Sequence, residues 1–95
     1  MRKSLLDILA CPIDKFYPLE LCEINTFNDS SVNEPIIKEG TLYCSKCSRF
    51  YPIVDEIPIM LPDELREKEK DIEFLKTWQQ QIPEKIKNSG LPWHL

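Results

Sequence analysis

The stretch Cys44-Ser45-Lys46-Cys47-Ser48-Arg49-Phe50-Tyr51-Pro52-Ile53-Val54-Asp55-Glu56-Ile57-Pro58-Ile59-Met60-Leu61 decides the fold. It opens with two thiols at C-x-x-C spacing. Two intervening residues let both sulfurs reach one tetrahedral ion while backbone N–H groups bond them. Phe50 to Val54 then reads as a strand, rich in aromatic and β-branched side chains. Pro52 withholds a ladder donor, which places that strand at a sheet edge. An open edge invites another strand. Beyond it, Ile53, Val54, Ile57, Ile59, Met60 and Leu61 put six apolar side chains into nine residues. Each is worth about 1.5–3 kcal/mol when buried, so a small domain needs them covered. A C-terminal helix can cover them, or a partner can. The edge strand and the acidic character of the chain favour a partner face.

Upstream, Ser4 to Ala10 reads as a short helix with Leu5, Ile8 and Leu9 on its apolar side, Ser4 as its cap and Pro12 as its stop. Tyr17 to Ile24 alternates as a strand, with Leu19 and Leu21 on one face and Glu20 and Cys22 on the other. Asn25 to Pro35, rich in Asn, Ser and Asp, reads as a loop. Ile36 to Tyr43 is a further strand, interrupted by a bulge or turn at Glu39-Gly40. Asp55-Glu56 reads as a solvated turn. Pro62-Asp63-Glu64 opens a long helix whose Leu61, Leu65, Ile72, Leu75, Ile82 and Ile86 follow a heptad-like rhythm, with Glu64 and Lys68 as a pair. Pro83 ends or kinks it, Gly90 closes a last turn, and Trp93 packs back. The expected class is α+β: a small antiparallel sheet of three to four strands, a short N-terminal helix and a long C-terminal helix. Residues 1–62 form the sheet unit and 63–95 a helical extension packed on it, within one domain.

Ninety-five residues leave no room for a second core, and so short a chain gains from a metal, a disulfide or a partner. A net charge of −4 argues against a free-standing nucleic-acid binder, which needs a basic field. Met1-Arg2-Lys3 followed by Leu5-Leu6-Asp7 does not read as a signal peptide, and no stretch is apolar enough to span a membrane. Four cysteines without a secretory signal point to the cytosol, and to metal rather than disulfide.

The metal reading has three forms. Cys11, Asp14, Cys44 and Cys47 hold zinc, with Asp14 where a second cysteine would complete the first knuckle, since a carboxylate is a legal ligand. Alternatively, Cys22 swings in as the fourth ligand, or no metal binds and the cysteines are small buried hydrophobes, with or without an oxidised pair. Catalysis is not expected. The single histidine, His94, lies far in sequence from any cysteine, and the two glycines, Gly40 and Gly90, are too isolated for a phosphate loop.

Four blocks appear in order: Leu5-Leu6-Asp7-Ile8-Leu9-Ala10-Cys11-Pro12-Ile13-Asp14-Lys15, Tyr17-Pro18-Leu19-Glu20-Leu21, Glu39-Gly40-Thr41-Leu42-Tyr43-Cys44-x-x-Cys47, and Tyr51-Pro52-Ile53-Val54-Asp55-Glu56-Ile57-Pro58-Ile59-Met60-Leu61-Pro62. Together they resemble the small activator subunit of class I methyltransferases acting on tRNA, rRNA and release factor, most closely its archaeal form. The resemblance spans residues 1–62. It implies a zinc-ribbon-like domain in a heterodimer whose partner binds S-adenosylmethionine and transfers the methyl group, with RNA reached only through that partner. It places metal ligands at Cys11, Asp14, Cys44 and Cys47. It places docking residues at Leu5, Leu9, Phe50, Tyr51, Ile53, Val54, Ile57, Pro58, Ile59, Met60 and Leu61. The alternative is an independent metal-binding module acting in electron transfer or RNA binding, or a scaffold unconnected with methylation.

Overall fold

A computed structural model describes residues 1–28, 31 and 35–95. Four antiparallel strands lie in the order β1-β2-β3-β4: β1 (Glu20–Asn28), β2 (Pro35–Tyr43), β3 (Phe50–Val54) and β4 (Ile57–Pro58). A short 3-10 helix, Lys3–Ile8, precedes them. A 3-10 turn, Asp63–Leu65, and the helices α1 (Lys68–Thr77) and α2 (Glu84–Ser89) follow. This is the α+β class expected from the sequence.

The sheet is covered on both faces, because inward residues alternate along β3. Tyr51 and Ile53 join Ile37, Leu42, Leu19, Cys11 and Cys44 in one core, with Leu5, Leu6, Leu9, Phe16 and Met60 packed against it. Phe50 joins Tyr43, Phe74, Leu75, Ile82 and Ile86 in a second core, with Ile72, Trp78 and Trp93 at its margin. The N-terminal 3-10 helix and the cysteine turns thus roof one face, and the C-terminal helices and tail roof the other.

Several local expectations are corrected. The N-terminal element is 3-10, is capped by Arg2 without a side-chain bond, and leaves Ile8 78% exposed. β1 starts later and runs further than the Tyr17–Ile24 strand, through Asn25–Asn28. The ladder with Pro35–Glu39 satisfies backbone groups that a loop would leave to water, and this outweighs the turn preference of Asn. The rest of the Asn25–Pro35 loop, apart from Ser31 and Pro35, lies outside the described residues. The irregularity expected at Glu39-Gly40 is shared by both strands: Ile24 of β1 and Lys38 of β2 have no ladder partner, and the register is restored beyond them. Gly40 is needed because β1 passes so close that a Cβ there would stand 2.6 Å from the Cys22 carbonyl oxygen. Asp55 and Glu56 both have positive φ, 49° and 71°, and make the exposed two-residue turn between β3 and β4.

The long helix is the largest correction. The chain is extended at Arg66 and Glu67, so α1 begins only at Lys68, and it ends at Thr77, before Pro83. Arg66 breaks the helix because its side chain, 2% exposed, is drawn beneath the sheet. There its Nη1 donates to the Phe50 carbonyl at 2.6 Å and its Nε to Asp71 Oδ2 at 2.9 Å. Nη2 makes an ion-pair contact with the same carboxylate oxygen, 2.9 Å away, without hydrogen-bond alignment. The guanidinium also stacks 4.8 Å from the Phe50 ring centroid and 5.8 Å from that of Trp93. A continuous helix would forfeit this buried network. Leu65, counted in the apolar rhythm, is 62% exposed. The pair that forms is Glu67–Lys70 rather than Glu64–Lys68.

Candidate metal centre and docking face

The two cysteine turns are built alike. In the first, the Cys11 N–H donates to the Phe16 carbonyl at 3.0 Å and the Lys15 N–H to the Cys11 carbonyl at 2.8 Å. In the second, the Cys44 N–H donates to Arg49 at 2.9 Å and the Ser48 N–H to Cys44 at 2.8 Å. Lys15 and Ser48 occupy equivalent left-handed positions, with φ of 61° and 64°. The register of this equivalence places Asp14 where the second turn has Cys47. The sequence showed a knuckle and a half; the backbone shows two knuckles, one ending in a carboxylate.

The four donor groups meet. One atom from each of Cys11, Asp14, Cys44 and Cys47 lies within 4.8 Å of the others. Cys11 Sγ and Cys47 Sγ are 3.7 Å apart, and Cys44 Sγ stands 3.5 Å from Asp14 Oδ2. Metal–sulfur bonds of ~2.3 Å in a tetrahedron give sulfur–sulfur edges of about 3.8 Å, so the donor set fits a tetrahedral ion. All four cysteines are free thiols. Burial pushes the Cys44 thiol up to about 12, and the neighbouring thiols push the same way, so without metal it stays protonated. The N–H of Phe16, 2.9 Å from Oδ1, is the main cause holding Asp14 below its usual value. A metal here displaces thiol protons, which makes its affinity depend on pH. Cys22 is not part of the cluster. It sits on β1 with its thiol 3.4 Å from the Gln81 carbonyl, on the side of the C-terminal helices.

The expected docking residues divide. Phe50, Tyr51 and Ile53 are wholly buried in the two cores, so their side chains offer no surface. Leu5, Leu9, Pro58, Ile59 and Met60 are half-buried. Val54, Ile57 and Leu61 are exposed by 43%, 61% and 36%. Val54 pairs with Ile57 in the ladder. Pro52, Val54, Ile59 and Leu61 face Phe74 of α1 across an apolar cleft of ≈ 360 Å³, rimmed by Arg66, Glu67, Lys70 and Asp71. The sequence pointed to the segment but not to Phe74, which falls outside the apolar rhythm of Leu61, Leu65, Ile72, Leu75, Ile82 and Ile86.

The open β3 edge expected at Pro52 is closed by the chain itself. The Phe50 N–H donates to the Leu91 carbonyl at 3.1 Å and the Phe50 carbonyl accepts from Arg66. The Pro52 carbonyl accepts from the Ile59 N–H at 2.8 Å. His94 lies exposed in the tail, its Nδ1 3.2 Å from the Gly90 carbonyl oxygen.

Comparison with known proteins assigns the architecture. Residues 2–56 match the family model described as Trm112p-like protein. The chain belongs to the Trm112p-like family. Among other family relatives, it is 38% identical over 71 residues to a UPF0434 protein of Dechloromonas aromatica, covering 75% of this chain and 97% of that protein. A UPF0434 protein of Nitrosococcus oceani is 33% identical over 74 residues, covering 78% and 100%. Among solved structures, the chain is similar to one from the complex between the Haloferax volcanii Trm112 methyltransferase activator and its candidate methyltransferase. That match has a TM-score of 0.59 and 39% identity, and covers 70% of this chain and 100% of that one. The Trm112p-like region therefore contains both cysteine turns, and the family model stops before α1 and α2. Among the described residues, no helix is long and apolar enough to cross a membrane.

Proposed function

We propose that this chain is a non-catalytic activator subunit that forms a heterodimer with a class I methyltransferase acting on tRNA, rRNA or release factor. The observation that carries this is the similarity, at 39% identity, to the full length of a solved chain from the Haloferax activator complex. The partner binds S-adenosylmethionine, performs the transfer and meets the RNA; this chain stabilises it. The complex works in the cytoplasm. Residues 1–62 are the docking and metal unit, and 63–95 an extension packed upon it.

The docking face is the exposed part of the apolar segment, Val54, Ile57 and Leu61, with Leu5, Leu9, Pro58, Ile59 and Met60 as half-buried support; Val54, Ile59 and Leu61 border the Phe74 cleft. Phe50, Tyr51 and Ile53 hold the strand in place from inside. Zinc, bound by Cys11, Asp14, Cys44 and Cys47, joins the turn that launches β3 to the first cysteine turn. The donor set supports this reading, because three sulfurs and a carboxylate at tetrahedral spacing suit a borderline-soft divalent ion. It speaks against the electron-carrier alternative, which needs four thiolates. The acidic chain supplies no basic field for an independent RNA binder.

Ile57→Glu tests the interface. The side chain is 61% exposed, so the isolated variant keeps its melting temperature. Co-expressed with its methyltransferase, it loses at least about tenfold in affinity, as expected for an apolar contact replaced by a charge. A variant that co-purifies with the enzyme in wild-type proportion rules this face out. A wild-type chain that binds no class I methyltransferase rules out the function.

A further inference from the structure

An ion held by three thiolates and one carboxylate carries four negative charges against two positive ones. Cys11 and Cys44 are fully buried, and buried charge is costly unless hydrogen-bond donors surround it. The structure places a donor at hydrogen-bond distance from two of the four groups. Asp14 Oδ1 accepts from the Phe16 N–H at 2.9 Å. That arrangement follows from the knuckle backbone. The other comes from a side chain that the knuckle does not dictate. The hydroxyl of Tyr51, a residue with no exposed surface, lies 3.0 Å from Cys11 Sγ.

We propose that Tyr51 is a positioning residue of the metal centre: its hydroxyl donates to the Cys11 thiolate. This rests on the reading of the cluster as a metal site and adds one residue outside the ligand set. It also gives the centre a mechanical connection. Tyr51 stands on β3 between the two cores. A donor at that point ties the first cysteine turn to the strand that bears the docking segment.

The test uses the full-length chain loaded with zinc and, separately, with cobalt(II). Tyr51→Phe keeps the ring and removes the donor. It lowers zinc affinity, measured by competition with a chelator, by roughly 10–100-fold. It also moves the sulfur-to-cobalt charge-transfer band to lower energy, because a thiolate stripped of its donor is easier to oxidise. A merely structural role for the side chain lowers the melting temperature but leaves the band in place. Wild-type zinc affinity and an unshifted band in a folded Tyr51→Phe protein overturn the assignment. If that variant does not fold, Tyr51→Leu decides the proposal by the same two readings. A wild-type chain that takes up neither zinc nor cobalt(II) overturns the metal reading and this proposal together, whereas loading of the wild type with an unaltered variant overturns the proposal alone.

Discussion

The two faces of one sheet are stabilised by different means. On the face with the cysteine turns, each pair of donor groups is ordered locally: two short turns, each closed by its own backbone hydrogen bonds, present two donors apiece, and the pairs then meet across the fold. On the face with the helices, order is long-range. Phe50, the Arg66–Asp71 segment and Trp93 come from three separate parts of the chain and satisfy one another in a buried network, with Trp93 Nε1 donating to Asp71 Oδ2 at 3.0 Å. Local turns can form before the rest of the chain folds, whereas a buried ion pair has value only once everything around it is in place. The first face is therefore written as a motif. The second is written as scattered residues with no spacing rule.

The comparison can be broken most severely on the helix side. Asp71→Ala leaves the Arg66 guanidinium, 2% exposed, without its carboxylate, and removes the acceptor of Trp93. It should cost about 3–5 kcal/mol, read as a lower denaturant midpoint. A loss below about 1 kcal/mol would mean that the network is relaxed by water and that the two faces differ less than their geometry suggests.

Next comes the sheet that both faces share. Gly40→Ala brings a Cβ to 2.6 Å from the Cys22 carbonyl oxygen, a backbone atom that cannot swing aside. A loss of about 1–3 kcal/mol should follow. Amide exchange should rise along both β1 and β2, and so in both cores. Exchange that rose on one face only would show that the cores are not coupled through the sheet.

The smallest effect is expected where the faces are joined. The Arg49–Asp63 pair is partly exposed, 20% and 35% by side chain, so Asp63→Asn should cost at most about 1 kcal/mol. Its pH signature is the sharper test. The bond from Arg49 holds the Asp63 carboxyl below its ordinary 3.8. With the folded value depressed, its stabilisation is complete above the unfolded value and is lost as the pH falls through the folded one. Thermal unfolding of wild type and Asp63→Asn should therefore converge as the solution is acidified below about pH 4. Curves that stay parallel would remove the pair as a contributor.

Legibility follows the same division. The C-x-x-C of Cys44 and Cys47, the half-knuckle of Cys11 and Asp14, the β3 strand and the apolar run to Leu61 were all readable, because each depends on neighbours within a few residues. Lys15 and Ser48 gave no signal of their left-handed backbone, since neither is glycine; the spacing placed Asp14 opposite Cys47, and the matching hydrogen bonds show that the two turns share one backbone. The buried leucine and isoleucine positions of the C-terminal segment were readable from their rhythm, but the continuous helix drawn through them was not there. Arg66 counts as a good helix former, and nothing adjacent in sequence says that its guanidinium will find the Phe50 carbonyl.

By itself, then, the sequence determined the strands of the sheet core, the four candidate metal-binding side chains and the family, because alternation, knuckle spacing and motif order act over short range. The tertiary structure decided which residues of the Phe50–Leu61 segment are surface and which are core. It also decided that the tail closes the β3 edge and that the C-terminal helix breaks at Arg66. Each of these depends on a partner brought from far along the chain, and the free energy of such a contact exists only after the two segments have met.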